Sequence, residues 1–145
     1  MIMEQNLISK IKNVTSKECF KYLSKIPNAY LVDVRTAPEW LYIGLPNLES
    51  LQKKTICIAW QVYPTMEINF NFRSEIINAG INIEDSIFLI CRSGKRSLDA
   101  AEFLTSCGFI NCYNVSDGFE GKINHNNQRS NKEGWKFNNL PWQQC

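Results

Sequence analysis

Ser86-Ile87-Phe88-Leu89-Ile90-Cys91-Arg92-Ser93-Gly94-Lys95-Arg96-Ser97 runs from unbroken apolar sequence into a short basic loop, and the residues after it read as a helix. Five residues without polar alternation describe a strand covered on both faces, as in a parallel sheet. Leu98, Ala101, Phe103 and Leu104 recur at helical spacing until Gly108, a natural left-handed stop. Outward from this unit, Asn111–Val115 and Ala29–Val34 read as further strands, the latter ending in Asp33-x-Arg35, and Thr55–Trp60 as another. Thr15-Ser16-Lys17-Glu18 has the form of a capping box opening a helix that Pro27 ends, and Pro38-Glu39-Trp40 marks a short helix start. A helix is predicted from about Met66 to Ile77, stopping at Gly80, and Ile8–Val14 is a candidate N-terminal strand. Strands alternating with helices predict an α/β domain whose mainly parallel sheet is covered on both faces. The tail from Gly121 differs: 122–133 is polar and Asn-rich, and Trp135 and Trp142 are expected to dock on the body.

The 145 residues, 44% hydrophobic and 21% charged, suit one domain spanning 1–145. A net charge of +2 lacks the basic excess of a nucleic-acid footprint, so no nucleic-acid partner is expected. The apolar runs are of strand length, short of the ~20 residues a membrane helix needs. Met1–Asn6 shows no secretory signal, which favours a cytoplasmic location. Six cysteines beside one histidine are compatible with a disulfide scaffold, a metal site, core thiols or a thiol enzyme. They are spread along the chain, no Cys-x-x-Cys occurs, and His125 stands alone. Reduced thiols and no metal are therefore expected.

Cys91 lies where an open parallel sheet places its ligands, beyond the carboxyl end of a strand. Backbone N–H groups of the loop and the positive end of the following helix can converge on its sulfur, a setting that favours the thiolate. Gly94 permits a tight bend. Arg92, Lys95 and Arg96 are expected to surround the site with positive charge, unfavourable for the helix start and suited to an anionic substrate. A core thiol has no use for three cations and a glycine within five residues.

Cys91-Arg92-Ser93-Gly94-Lys95-Arg96-Ser97 resembles the active-site loop of rhodanese-type sulfurtransferases. Leu31-Val32-Asp33-Val34-Arg35-Thr36 with Glu39-Trp40 is similar to that family's strand ending in Asp-x-Arg. Ala100–Leu104, Gly108-Phe109, Tyr113-Asn114-Val115, Asp117–Gly121, Gly134-Trp135 and Leu140-Pro141-Trp142 match the order of single-domain bacterial members. The resemblance implies a three-layer α/β/α rhodanese-like domain with a five-stranded parallel sheet. It implies that Cys91 takes a sulfane sulfur from a donor such as thiosulfate, forms a persulfide and passes the sulfur to a thiophilic acceptor, with ping-pong kinetics and without cofactor. Arg92, Ser93, Gly94, Lys95, Arg96 and Ser97 would bind the substrate, and Asp33 and Arg35 would support the loop. The implied partners are a small anionic donor and a thiol, cyanide-like or protein acceptor, with the chain a monomer or weak homodimer.

Gly44-Leu45-Pro46-Asn47-Leu48, the segment to Pro64 and the polar stretch 123–133 depart from the family pattern. Arg35 and Glu39 are spaced for a local ion pair. Cys107 and Cys112 are expected in the core, Cys145 at a mobile end, Trp60 and Phe119 in the core or the pocket wall, and His125 at the surface. Two other readings compete. A cysteine-dependent phosphatase of the dual-specificity type would need five residues between Cys and Arg, and only four separate Cys91 from Arg96. A non-catalytic binding or regulatory module would have no use for the cysteine within an intact basic loop.

Overall fold

The computed structural model describes residues 11–145. Its first helix, α1 (Ser16–Lys25), opens with the expected capping box. Thr15 Oγ1 accepts from the Glu18 N–H at 3.2 Å, and Glu18 Oε1 accepts from the Thr15 N–H at 2.9 Å. Cys19 and Leu23 recur one turn apart and point to the core. Ile26 is already extended, as the residue before a proline tends to be.

The central sheet contains β1 (Lys12–Val14), β2 (Ala29–Asp33), β4 (Ile56–Cys57), β7 (Ser86–Ile90) and β8 (Asn111–Val115), in the order β1-β8-β7-β2-β4. Every pairing is parallel. Of the predicted N-terminal strand, residues 12–14 form β1, and residues 8–10 lie outside the described residues. Successive residues of a strand face opposite sides, so β7 divides its apolar run between two cores. Ile87 and Leu89 pack with Phe72, Ile76, Ala100 and Leu104, whereas Phe88 and Ile90 pack with Cys19, Leu23, Phe119 and Trp135. The first core lies under α3 (Phe72–Asn78) and α4 (Lys95–Ser106), the second under α1 and the C-terminal segment. This is the three-layer α/β architecture with five parallel strands that the family resemblance implies. Among the described residues no helix is long and apolar enough to cross a membrane.

Three expectations change. The strand predicted over Thr55–Trp60 pairs only at Ile56 and Cys57, although the Ile58 and Trp60 N–H groups still bond to Asp33 and Val34 along the sheet edge. The helix predicted from Met66 begins at Phe72. In its place a small hairpin, β5 (Gln61–Val62) with β6 (Glu67–Ile68), occupies the start. Asn69 explains the delay: its amide donates to the Ala59 carbonyl at 3.0 Å and its Oδ1 accepts from the Asn71 N–H at 3.0 Å. Such side-chain bonds to nearby backbone compete with helix formation. Finally, the tail ends in ordered pairing, β9 (Trp142–Gln143) running antiparallel to β3 (Leu45–Pro46). Trp135 is fully buried with its indole N–H on the Pro141 carbonyl at 2.7 Å, and Trp142 meets the Phe119 ring edge-on. Between these indoles and the sheet, 122–133 is a largely exposed loop that includes His125.

Candidate active site

The carboxyl ends of β2 and β7 lie side by side, Asp33 opposite Ile90. Cys91 follows directly, and its residue surface is only 1% exposed, so the sulfur sits at the bottom of the loop. The chain turns back over it at Gly94 (φ +105°), which ends the loop and caps α4. The turn brings the Gly94 N–H to 3.1 Å from Cys91 Sγ, and the first turn of α4 brings Ser97 Oγ to 3.2 Å. The amides of Lys95 and Arg96 belong to the helix start, where N–H groups have no partner within the helix. The cradle therefore offers donors and a positive dipole to charge on the sulfur.

A second layer clamps the loop. The Phe119 N–H bonds to the Cys91 carbonyl at 2.8 Å, and the N–H groups of Glu120 and Gly121 bond to the Arg92 carbonyl at 3.0 Å. Gly118 (φ +67°) lies against the backbone of Arg92 and Ser93 so closely that a β-carbon there would overlap it. Asp117 in turn accepts from the Ser16 N–H and hydroxyl, both at 2.8 Å, which ties this turn to the start of α1.

Asp33 and Arg35 form a fully buried ion pair with Arg35 Nη2 at 2.7 Å and Nε at 2.9 Å from the carboxylate. Nη2 also donates to the Gly44 carbonyl at 2.7 Å, and the guanidinium lies 4.4 Å over the Phe119 ring. Burial alone would pull the guanidinium's pKa down, but the charge of Asp33 and its hydrogen bonds outweigh this and hold it up. Phe119 and Trp60 are both buried, Phe119 beneath Arg35 and Trp60 against Phe72 and Phe103.

The expected Arg35–Glu39 pair does not form. Glu39, in α2 (Ala37–Tyr42), reaches across to the loop and takes Arg96 in a two-pronged bond of 2.7 and 3.0 Å. The reason is competition: Asp33, two residues away and buried, already holds Nε and Nη2 of Arg35. The three loop cations differ in the carboxylates they meet. Arg96 is neutralised by Glu39, Lys95 is solvent-facing with Asp99 at 3.1 Å, and Arg92 is exposed with no carboxylate partner among the described residues. Ser93 is half-buried under Gly118. The remaining cysteines are all free: Cys19 and Cys112 buried, Cys107 half-buried, Cys57 and Cys145 exposed.

A family model described as the STR4 middle domain matches residues 11–145, all of the site included. The chain belongs to the STR4 middle-domain family. This STR4 middle-domain protein is 46% identical over 133 residues to an uncharacterized protein of Rickettsia conorii, covering 92% of this chain and 98% of the relative. It is similar in structure to Rv0390 of M. tuberculosis, with a TM-score of 0.84, 36% identity and coverage of 92% and 98% of the two chains. Over 129 residues it is 24% identical to the chloroplastic rhodanese-like domain-containing protein 4 of Arabidopsis thaliana, 88% of this chain and 25% of that protein. The fold is accordingly rhodanese-like.

Two site residues escape a reading of local spacing in this STR4 middle-domain chain. Glu39 is 57 positions from its partner Arg96, beyond any local pattern. Asn114 left a trace: an asparagine on the same strand face as buried Cys112 is out of place unless it has partners.

The Glu39–Arg96 bond carries a pH dependence. Burial would raise the pKa of Glu39, but the hydrogen bond and charge of Arg96, with help from Thr36, hold it below the ordinary 4.5. A carboxyl lowered in the folded state stabilises above its unfolded value and loses that contribution as the pH falls through the folded one. Glu39→Gln is therefore expected to melt below the parent protein at neutral pH, with the gap closing as the pH drops below about 4.5. Thermal melts of both proteins across this range check it; a constant gap contradicts it.

Proposed function

We propose that this protein is a sulfurtransferase in which Cys91 carries a sulfane sulfur from a small anionic donor such as thiosulfate to a thiophilic acceptor. In the first half-reaction the Cys91 thiolate attacks the outer sulfur of thiosulfate. A new S–S bond forms, the bond to the sulfonate sulfur breaks, and sulfite leaves with the bonding electron pair. In the second half-reaction a thiolate, cyanide or the cysteine of a protein acceptor attacks the terminal sulfur, and the Cys91 thiolate is regenerated. Electrons and atoms balance without metal or cofactor.

The observation that carries this reading is the cup around Sγ: the Gly94 N–H at 3.1 Å, Ser97 Oγ at 3.2 Å and the start of a twelve-residue helix above it. The Gly94 N–H and the helix start are fixed in place, and fixed donors aimed at a position where negative charge rests cost no reorganisation during reaction. The further N–H groups of the helix start suit a persulfide's terminal sulfur. Arg92, exposed and without a carboxylate partner among the described residues, suits the capture of an anionic donor. Asp33 and Arg35 hold the neighbouring strand end, and Glu39 with Arg96 fixes the helix start.

Incubating the reduced protein with thiosulfate and measuring its intact mass is expected to show the gain of one sulfur atom, removed by cyanide or a thiol. Cys91→Ala is expected to show no gain. A protein that gains no sulfur from thiosulfate, polysulfide or a small persulfide contradicts the proposal.

A further inference from the structure

Ser97 has one hydroxyl proton and two neighbours that want it. Its Oγ lies 3.2 Å from Cys91 Sγ and 2.6 Å from Asn114 Oδ1. Asn114 extends from β8, is 3% exposed, and cannot present its amide the other way round. Its Nδ2 faces the Gly94 carbonyl at 3.2 Å and Asn13 Oδ1 at 3.0 Å. A backbone carbonyl only accepts, so the NH2 group must point to it and Oδ1 must point to Ser97. Oδ1 needs a donor, and at 2.6 Å the serine hydroxyl supplies it. With its proton committed to Asn114, Ser97 turns a lone pair toward the sulfur and is ready to accept from a neutral S–H. A sulfur anion reverses the demand. It has no proton to give, and Ser97 stabilises it only by swinging its proton to Sγ and leaving buried Oδ1 without a donor.

We infer that Asn114 is a positioning residue that governs, through Ser97, which protonation state of Cys91 the site favours. The Ser97 hydroxyl is a two-position switch: turned to Asn114 in the resting thiol, turned to sulfur in the thiolate and the persulfide anion. The Gly94 N–H, fixed on Sγ in either setting, gives the anion a donor that does not depend on the switch. Asn114 thus restrains the free thiol, so that the sulfur becomes reactive when another influence, such as a bound donor, tips the hydroxyl over. Asn13 anchors this device from β1, so three strands and the helix start meet in one chain of bonds.

The inference rests on Cys91 being the reacting thiol of the proposed reaction, but its test does not use sulfur transfer. The rate of alkylation of Cys91 by iodoacetamide at pH 7, followed by peptide mass mapping, reports the thiolate directly. Asn114→Leu removes the competing acceptor and is expected to raise this rate about fivefold, the factor that corresponds to one hydrogen bond of about 1 kcal/mol. Asn114→Asp keeps the shape, strengthens the acceptor and adds negative charge, and is expected to lower the rate. In a Ser97→Ala background, Asn114→Leu is expected to change nothing, because its route to the sulfur is gone. A merely structural role moves both Asn114 variants in the same direction, or moves the rate equally with and without Ser97; either result overturns the inference. Should Asn114→Leu melt too low to study, the direction of the Asn114→Asp change decides. An alkylation pattern as expected together with no sulfur loading would count against the proposed reaction alone, and the reverse pair of results against the switch alone.

Discussion

Asp33→Ala is expected to cost about 3–5 kcal/mol of stability and to lower the melting temperature by ~10–20 °C. Taking two charges out of water costs several kcal/mol per ion, and the mutual attraction of Asp33 and Arg35 offsets this only while both are present. The substitution leaves the Arg35 guanidinium fully buried, with the Gly44 carbonyl and the Phe119 ring but, among the described residues, no carboxylate bonded to it. The damage does not stop at the pair. Gly44 begins the turn into β3, which pairs with β9, and Phe119 bonds to the Cys91 carbonyl. Asp33→Asn keeps the shape and an acceptor oxygen and is expected to lose less. Thermal and denaturant melts of both variants measure the difference; a loss under about 1 kcal/mol for Asp33→Ala would show that the pair is not what holds this end of the sheet.

Gly94→Ala is expected to slow persulfide formation from thiosulfate by at least about tenfold, a conservative fraction of the ~10²–10³ that removal of one well-placed anion donor costs in other enzymes. Two effects combine. At φ +105° any residue with a β-carbon is strained, by about 1–3 kcal/mol. The added carbon also overlaps the Ser116 carbonyl, so the turn must open and carry the N–H away from Sγ. Gly80→Ala separates the two, since Gly80 is also left-handed (φ +91°) but has open space around its Cα. It is expected to lower the melting temperature modestly and to leave the loading rate intact. Equal rates for Gly94→Ala and the parent protein, followed by mass spectrometry under conditions where both are folded, would show that the Gly94 amide does not serve the sulfur.

Elements whose signals are local were legible from the residues. Thr15 and Glu18 cap a helix from three positions apart, the unbroken run from Ser86 to Ile90 announces a strand buried on both faces, and Gly94 marks the bend after Cys91. The helix expected from Met66 failed because two-residue strands leave too short a pattern to tell from the start of a helix, and Asn69 settles the choice through bonds to Ala59 and Glu75. The Arg35–Glu39 pairing failed for a related reason: spacing says which charges are near in the chain, but the buried Asp33 takes the guanidinium and frees Glu39 for Arg96. Of three cations gathered in the loop sequence, only Arg92 is without a carboxylate among the described residues, because ion pairing depends on what other segments bring.

The sequence by itself determined the alternation of the central strands with helices, the placement of Cys91 beyond a central strand, and the glycine that lets the chain close over the sulfur. Hydrophobic period, capping and backbone freedom act within a few residues, and one chain displays them in full. Only the tertiary structure decided which side chains converge on the loop: Glu39 on Arg96, Gly118 on Arg92 and Ser93, and Asn114 on Ser97. These partners lie 17 to 57 positions apart where they bond, and they meet because parallel strands bring their carboxyl ends to one edge of the sheet.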